Sequence, residues 1–165
     1  WSLLHPQQSE AQMGLSLVNS MLGRMTLGGE AAKLKPWQMK LIQRATAMYK
    51  SFRSQLVQEP HVYHLTPDLI QYANEGSLAL EISCHAGKHI FLAVWRLNTA
   101  ETGVTLRLRE IDRKVSYTVR SFPDGLESVV SGQELTDGFR MSLPCENSAR
   151  LLWLQQKEKA GGAEE

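Results

Sequence analysis

A few residues in this 165-residue chain are of types that could carry chemistry. His61 and His64 stand three apart between Pro60 and Pro67. Cys84, His85 and His89 place a thiol and two imidazoles around one short turn. Cys145 and the aspartates Asp68, Asp112, Asp124 and Asp137 complete the set. A protein zinc site needs three or four ligands at set spacings, and His61 and His64 lack a third partner, so no metal ligand is assigned. Strand alternation sends His85 and His89 away from the Cys84 face or into the loop, which reads as a surface hairpin rather than a metal site. Nucleophilic catalysis needs a hydroxyl or thiol with a base and an orienting group. No GxSxG stretch is present, and Cys145 falls in an expected turn with no histidine near it in sequence. Three of the aspartates also fall in expected turns, where Asp bonds backbone N–H groups. A paired-carboxylate site has no local signature, because its members come from separate strands. Gly28-Gly29 is not a phosphate loop, since no Lys-Ser/Thr follows to open a helix. These residues assemble no catalytic, metal or cofactor site.

The elements that would position such residues change class along the chain. Ser9-Glu10-Ala11-Gln12 has the form of a capping box. Met13, Leu17, Val18, Met21, Leu22 and Met25 then recur at helical spacing, and their methionines read as core packing. Gly28-Gly29 is expected to end that helix. Pro36 opens a second one, a position where its missing N–H costs nothing. Leu41, Ile42, Ala45, Met48, Tyr49, Phe52 and Leu56 form its apolar stripe, and one short partner helix would leave much of that stripe bare. The pair is therefore read as the edge of a larger body.

From about Asn74 the period becomes two. Leu78, Leu80 and Ile82 alternate with Ala79, Glu81 and Ser83, and Ile90, Leu92 and Val94 with Phe91, Ala93 and Trp95. A three-residue loop His85-Ala86-Gly87 pairs Ile82 with Ile90, Leu80 with Leu92 and Leu78 with Val94. Further strands are expected around Val104–Leu108, Val115–Val119, Phe139–Leu143 and Ala149–Leu154. Turns are read at Asp112-Arg113-Lys114, Pro123-Asp124-Gly125, Ser131-Gly132, Asp137-Gly138 and Pro144 to Asn147. Many short strands with polar turns and no helix between them predict an antiparallel β-sandwich. The tail from Lys157 to Glu165 reads as disordered.

Composition bounds the rest. Hydrophobic content of 42% and charge of 21% are globular values, and no apolar run reaches the roughly 20 residues that span a bilayer. Net charge is +1, with +4 on residues 1–59 (seven basic, three acidic) and −3 on the remainder (eleven basic, fourteen acidic). The basic helix reads as a solvated face rather than a nucleic-acid or membrane surface. Two cysteines without CxxC spacing read as reduced thiols in a cytoplasmic setting, with one inter-strand disulfide left open. The opening Trp1 to Pro6 has neither the basic region nor the cleavage site of a signal peptide, and reads as a chain cut into partway along.

The helical stretch also carries a resemblance. Met13-Gly14-Leu15-Ser16-Leu17-Val18-Asn19-Ser20-Met21-Leu22-Gly23-Arg24-Met25 closely resembles the last barrel helix of glycoside hydrolase family 36, the α-galactosidases. The Gly-Gly stop, the Pro-initiated helix and Tyr49-Lys50-Ser51-Phe52-Arg53 are similar to that family's next elements. Val62 to Pro67 resembles its linker, Leu92-Ala93-Val94-Trp95-Arg96 a core strand, and Ser131-Gly132-Gln133-Glu134-Leu135 a late turn. Lys35 departs from the Ser-like cap usual in the family. The resemblance implies an α+β fragment. Residues 1–60 would be the final helices of a TIM-type (β/α)8 barrel, 61–156 a C-terminal antiparallel β-sandwich and 157–165 a tail. It further implies a retaining mechanism whose nucleophile and acid/base, both Asp, lie on barrel strands absent from this sequence. No catalytic residue is carried over, substrate-binding residues stay unknown, and no metal or cofactor is implied. An α-galactoside would bind through the missing barrel. A homo-oligomer is compatible, and neither nucleic acid nor membrane is expected as partner. The alternative is a non-catalytic carbohydrate-binding or interaction sandwich, which calls for exposed aromatics such as Phe91, Trp95 or Trp153.

Overall fold

The computed structural model describes residues 2–66 and 76–157. The expected onset of strand periodicity at Asn74, Asp68 and the tail from 158 onward lie outside the described residues. Strand β1 (Ser2–Leu4) leads into helix α1 (Glu10–Met21), short strand β2 (Leu27–Gly29) and helix α2 (Pro36–Phe52). Strands β3 (His61–His64), β4 (Ser77–Cys84), β5 (His89–Arg96), β6 (Gly103–Leu106), β7 (Ser116–Phe122) and β8 (Glu127–Ser131) follow. Helix α3 (Gly132–Gly138) and strands β9 (Phe139–Ser142) and β10 (Ser148–Gln156) complete the order. A six-stranded sheet, β3-β4-β5-β10-β7-β8, is antiparallel throughout. The helices cover one face of it, and the pair β6-β9 with α3 covers the other.

The capping box forms as read. Ser9 Oγ accepts from the Gln12 N–H, and Gln12 Oε1 accepts from the Ser9 N–H at 3.0 Å. Met13 and Met21 are fully buried, as core packing requires. The Gly28-Gly29 stop is corrected. The helix ends at Met21, and both glycines lie in β2, which pairs in parallel with β1 (Ser2 to Leu27, Leu3 to Gly28, Leu4 to Gly29). Gly29 has φ +108°, and a Cβ there would lie 2.2 Å from the Leu4 carbonyl oxygen, so only glycine fits. At the start of α2, Lys35 supplies no side-chain cap; the Gln38 side chain instead accepts the Lys35 N–H at 2.8 Å.

The bare stripe is the second correction. Leu41, Ala45 and Phe52 are buried in one cluster with Ile82, Phe91, Leu151 and Trp153, so this chain's own sheet supplies the missing partner. Phe52 sets its ring 4.8 Å from Phe91 and 5.6 Å from Trp153 between centroids. Tyr49, from the Tyr-Lys-x-x-Arg stretch, donates its hydroxyl to the Gly23 carbonyl at 2.7 Å and accepts from the Met25 N–H at 3.2 Å. That ties α2 to the segment leaving α1.

The β4–β5 register is the third correction. Cys84 faces His89, Ile82 faces Phe91, Leu80 faces Ala93 and Leu78 faces Trp95. The turn is four residues, His85 to Lys88, and His85, Ala86 and Gly87 all have positive φ. Adding one residue to the loop exchanges the faces. Ile82 joins Phe91 on the helix side, while Ala79 joins Ile90, Leu92 and Val94 on the other. β5 is central in the sheet, apolar on both sides, and its Phe91 is buried.

Ser131-Gly132-Gln133-Glu134-Leu135 is not a turn but the start of α3, with Ser131 Oγ accepting the Glu134 N–H at 3.1 Å. Asp137 lies in that helix rather than in a turn. The stretch Val62 to Thr66, read as a linker, contributes most of edge strand β3, and β8 is an edge strand the pattern did not announce.

Candidate functional site

Titratable groups gather where β3, β4 and the segment after β6 meet. Glu81 projects from β4 in the phase it shares with Ala79 and Ser83, and all three are buried. Its Oε2 accepts the Arg109 N–H at 2.9 Å and its Oε1 the Glu110 N–H at 3.2 Å. Burial raises the Glu81 pKa against the pull of those two donors. A carboxylate placed there binds a passing backbone segment to the sheet.

Glu110, held in place by that contact, turns outward. Its Oε1 contacts Tyr63 Oη and His61 Nδ1, each at 2.5 Å, and its Oε2 accepts from Ser83 Oγ at 2.8 Å. The Tyr63 hydrogen bond, opposed in part by burial, leaves the Glu110 pKa below its usual value. The same bond raises that of the Tyr63 phenol. Each oxygen of both carboxylates is engaged within the protein. The arrangement acts as a clasp between β3, β4 and the segment after β6.

His61 joins the clasp, but His64, three residues along β3, projects from the opposite face, so the two cannot share a metal. The described residues contain no group of three or more His, Cys, Asp or Glu able to hold a metal. Cys84 and His89 are cross-strand partners and share a face, contrary to the alternation reading. Cys84 is buried, and burial pushes its thiol up to about 11, the direction that disfavours the reactive thiolate. Burial, then the neighbouring His85, lowers the His89 pKa, and its ring stacks on Trp153 at 6.2 Å. Cys145 is an exposed free thiol in the turn before β10.

The three aspartates among the described residues have structural duties. Asp112 and Asp124 accept the backbone N–H groups of Lys114 at 2.9 Å and Leu126 at 3.3 Å, as turn residues do. Asp137 pairs with Arg113 at 2.7 Å, and that hydrogen-bonded guanidinium lowers its pKa. Nor do the aromatics named for a sugar platform form one. Phe91 and Trp153 are buried, and Trp95 donates its indole N–H to Asn19 Oδ1 at 2.6 Å. Sequence reading missed Glu81 and Glu110. The available signal was the pair of small residues, Ala79 and Ser83, flanking Glu81 in one strand phase.

No family model matches this sequence, and no curated protein is similar to it. Solved structures are. A variant of the GH36 α-galactosidase AgaA from Geobacillus stearothermophilus, in complex with raffinose, superposes with a TM-score of 0.68 at 18% identity, over 86% of this chain and 19% of its own. The α-galactosidase of Lactobacillus brevis does so with 0.65 at 14% identity, over 88% of this chain and 20% of its own. An α-amylase from Geobacillus thermoleovorans follows with 0.58 at 13%, over 88% of this chain and 33% of its own. No helix among the described residues is long and apolar enough to cross a membrane. The chain spans about a fifth of the α-galactosidases it matches, and it has the fold of that segment of the GH36 α-galactosidases.

Proposed function

We propose that this chain is the C-terminal part of a retaining α-galactosidase-like glycoside hydrolase acting on terminal α-galactosides. Residues 1–60 close a catalytic (β/α)8 barrel, and residues 61–156 form the sandwich that supports it. The observation that carries this reading is the β1-α1-β2 unit. Two three-residue strands pair in parallel across a helical crossover, an arrangement typical of larger α/β sheets. Both strands leave their outer edges unpaired among the described residues, and Leu3 on β1 is 63% exposed. A barrel supplies the neighbouring strands and covers Leu3. The likeness to α-galactosidase segments and the ordered sequence resemblance support the same reading.

On this reading the nucleophile and the acid/base sit on barrel strands outside this chain, which by itself is structural. The substrate binds through the barrel, no cofactor takes part, and the setting is cytoplasmic, consistent with the free thiols of Cys84 and Cys145. The test is complementation. A GH36 α-galactosidase lacking the segment that matches this chain is refolded with and without it, and aryl α-galactoside hydrolysis is followed. Activity restored by this chain and not by a β-sandwich of unrelated origin is the expected result. Hydrolysis by this chain alone at an enzyme-like rate would place the chemistry within it and overturn the reading.

A further inference from the structure

The β1-α1-β2 unit has two faces, and its register assigns the residues on each. Ser2 and Leu4 are buried on the α1 side: the Ser2 hydroxyl donates to the Ser16 carbonyl, and Leu4 shares a cluster with Met13 and Leu17. Alternation turns Leu3 to the opposite face. A Cβ on its partner Gly28 would lie 3.6 Å from Leu3 Cδ2, so the two positions point the same way. The pairing carries on past the strand ends, since the Glu30 N–H donates to the Leu4 carbonyl at 3.2 Å. That sets His5 opposite Glu30, each two residues beyond Leu3 or Gly28 and therefore on their face. The side chains meet there, His5 Nε2 to Glu30 Oε2, at 3.3 Å.

The pair is held from several sides. The Gln7 N–H donates to His5 Nδ1 at 3.3 Å, which leaves the ring proton on Nε2, directed at Glu30. Lys33 Nζ holds the other Glu30 oxygen at 2.6 Å. Gln38 of α2 is fully buried. It donates its amide to the His5 carbonyl at 3.2 Å and accepts the Lys35 N–H at 2.8 Å, which ties the loop after β1 to the loop after β2. Even so, the His5 and Glu30 side chains are 51% and 40% exposed. A donor and an acceptor fixed side by side with open surface suit a molecule that both donates and accepts hydrogen bonds.

In a (β/α)8 barrel the strand face away from the helices is the interior, and the active site is built at the C-terminal ends of the strands. His5 and Glu30 are the first residues of that inward phase beyond the C-terminal ends of β1 and β2. We propose that His5 and Glu30 line the active-site mouth of the barrel and hydrogen-bond hydroxyls of the bound α-galactoside. Their role rests on the barrel proposed above. It adds two substrate-contacting residues that this chain itself supplies.

The complementation assay, run with chains carrying His5→Ala or Glu30→Gln, tests it. An exposed ion pair adds little to stability, so both variants should refold with the melting midpoint of the unsubstituted chain. Each should lower kcat/KM for an aryl α-galactoside about tenfold, chiefly through KM, as loss of a substrate hydrogen bond does. Galactose should also shield His5 in the reassembled enzyme from carbethoxylation by diethyl pyrocarbonate, read by mass spectrometry. The exposed His61 and His85 should label equally with and without the sugar. Unchanged kcat/KM in both variants, or His5 labelling indifferent to galactose, would overturn the assignment and leave the barrel reading standing. Absence of activity with the unsubstituted chain would overturn both.

Discussion

The two faces of the six-stranded sheet are closed by different means. On the helix face, rings do the work: Phe52 of α2 packs against Phe91 and Trp153, with Leu41 and Ala45 beside it. On the opposite face the apolar layer of Leu92, Val94, Leu152 and Leu154 is supplemented near β3 by a buried carboxylate. Glu81 binds the backbone at Arg109 and Glu110, and Glu110 then holds His61, Tyr63 and Ser83. Apolar contact is non-directional and indifferent to pH. A buried polar clasp is directional, costly when half-satisfied, and coupled to protonation.

Phe52→Ala should have the largest effect. Removing a buried ring costs roughly 3–5 kcal/mol, read as a lower urea midpoint with the slope unchanged. A loss under about 1 kcal/mol would mean that α2 is not held on the sheet by this contact. Glu81→Ala comes next, at roughly 2–3 kcal/mol, because two amides lose their acceptor. Hydrogen exchange at Arg109 and Glu110 should accelerate in that variant while β5 stays protected. Uniform acceleration would show that the carboxylate supports the whole fold and not one segment.

The smallest effect is electrostatic. Glu110 has a lowered folded pKa, so its contribution is present above the ordinary carboxylate value of about 4.3 and fades as pH falls through the folded value. Glu81, raised by burial, runs the other way, since its charged form is disfavoured and protonation relieves that cost. Comparing the chain with Glu110→Gln isolates the first effect. The stability gap between them should shrink as pH falls from about 6 to about 3. A gap that holds constant would mean that hydrogen-bond geometry, and not charge, fastens the clasp.

How much of this was legible in the sequence followed the same division. Helices announce themselves through spacing and caps, and Ser9 with Gln12 marks the start of α1 where the structure places it. The strands were found, but not their phase. β5 is apolar on both sides, so Ile90-Phe91-Leu92 gives no indication of which residues face the helices. A loop one residue longer than expected then exchanged the faces. Glu81 went unseen for a related reason: a charged residue in a strand is read as facing water, and its backbone partners lie 28 and 29 residues away. Gly28-Gly29 suited a helix stop by composition, but what decided their place was a partner strand upstream. Ser131 signalled a cap that was read as a turn because only seven residues of helix follow it.

We propose that this chain is part of an α-galactosidase-like enzyme whose chemistry lies outside it, and one measurement tests that proposal most directly. An antibody raised against residues 36–56 can capture the native product from the source cells, and its α-galactosidase activity can be compared with that of the purified 165-residue chain. The account predicts hydrolysis of an aryl α-galactoside by the captured product and none above background by the chain alone. Captured product without α-galactosidase activity would contradict it.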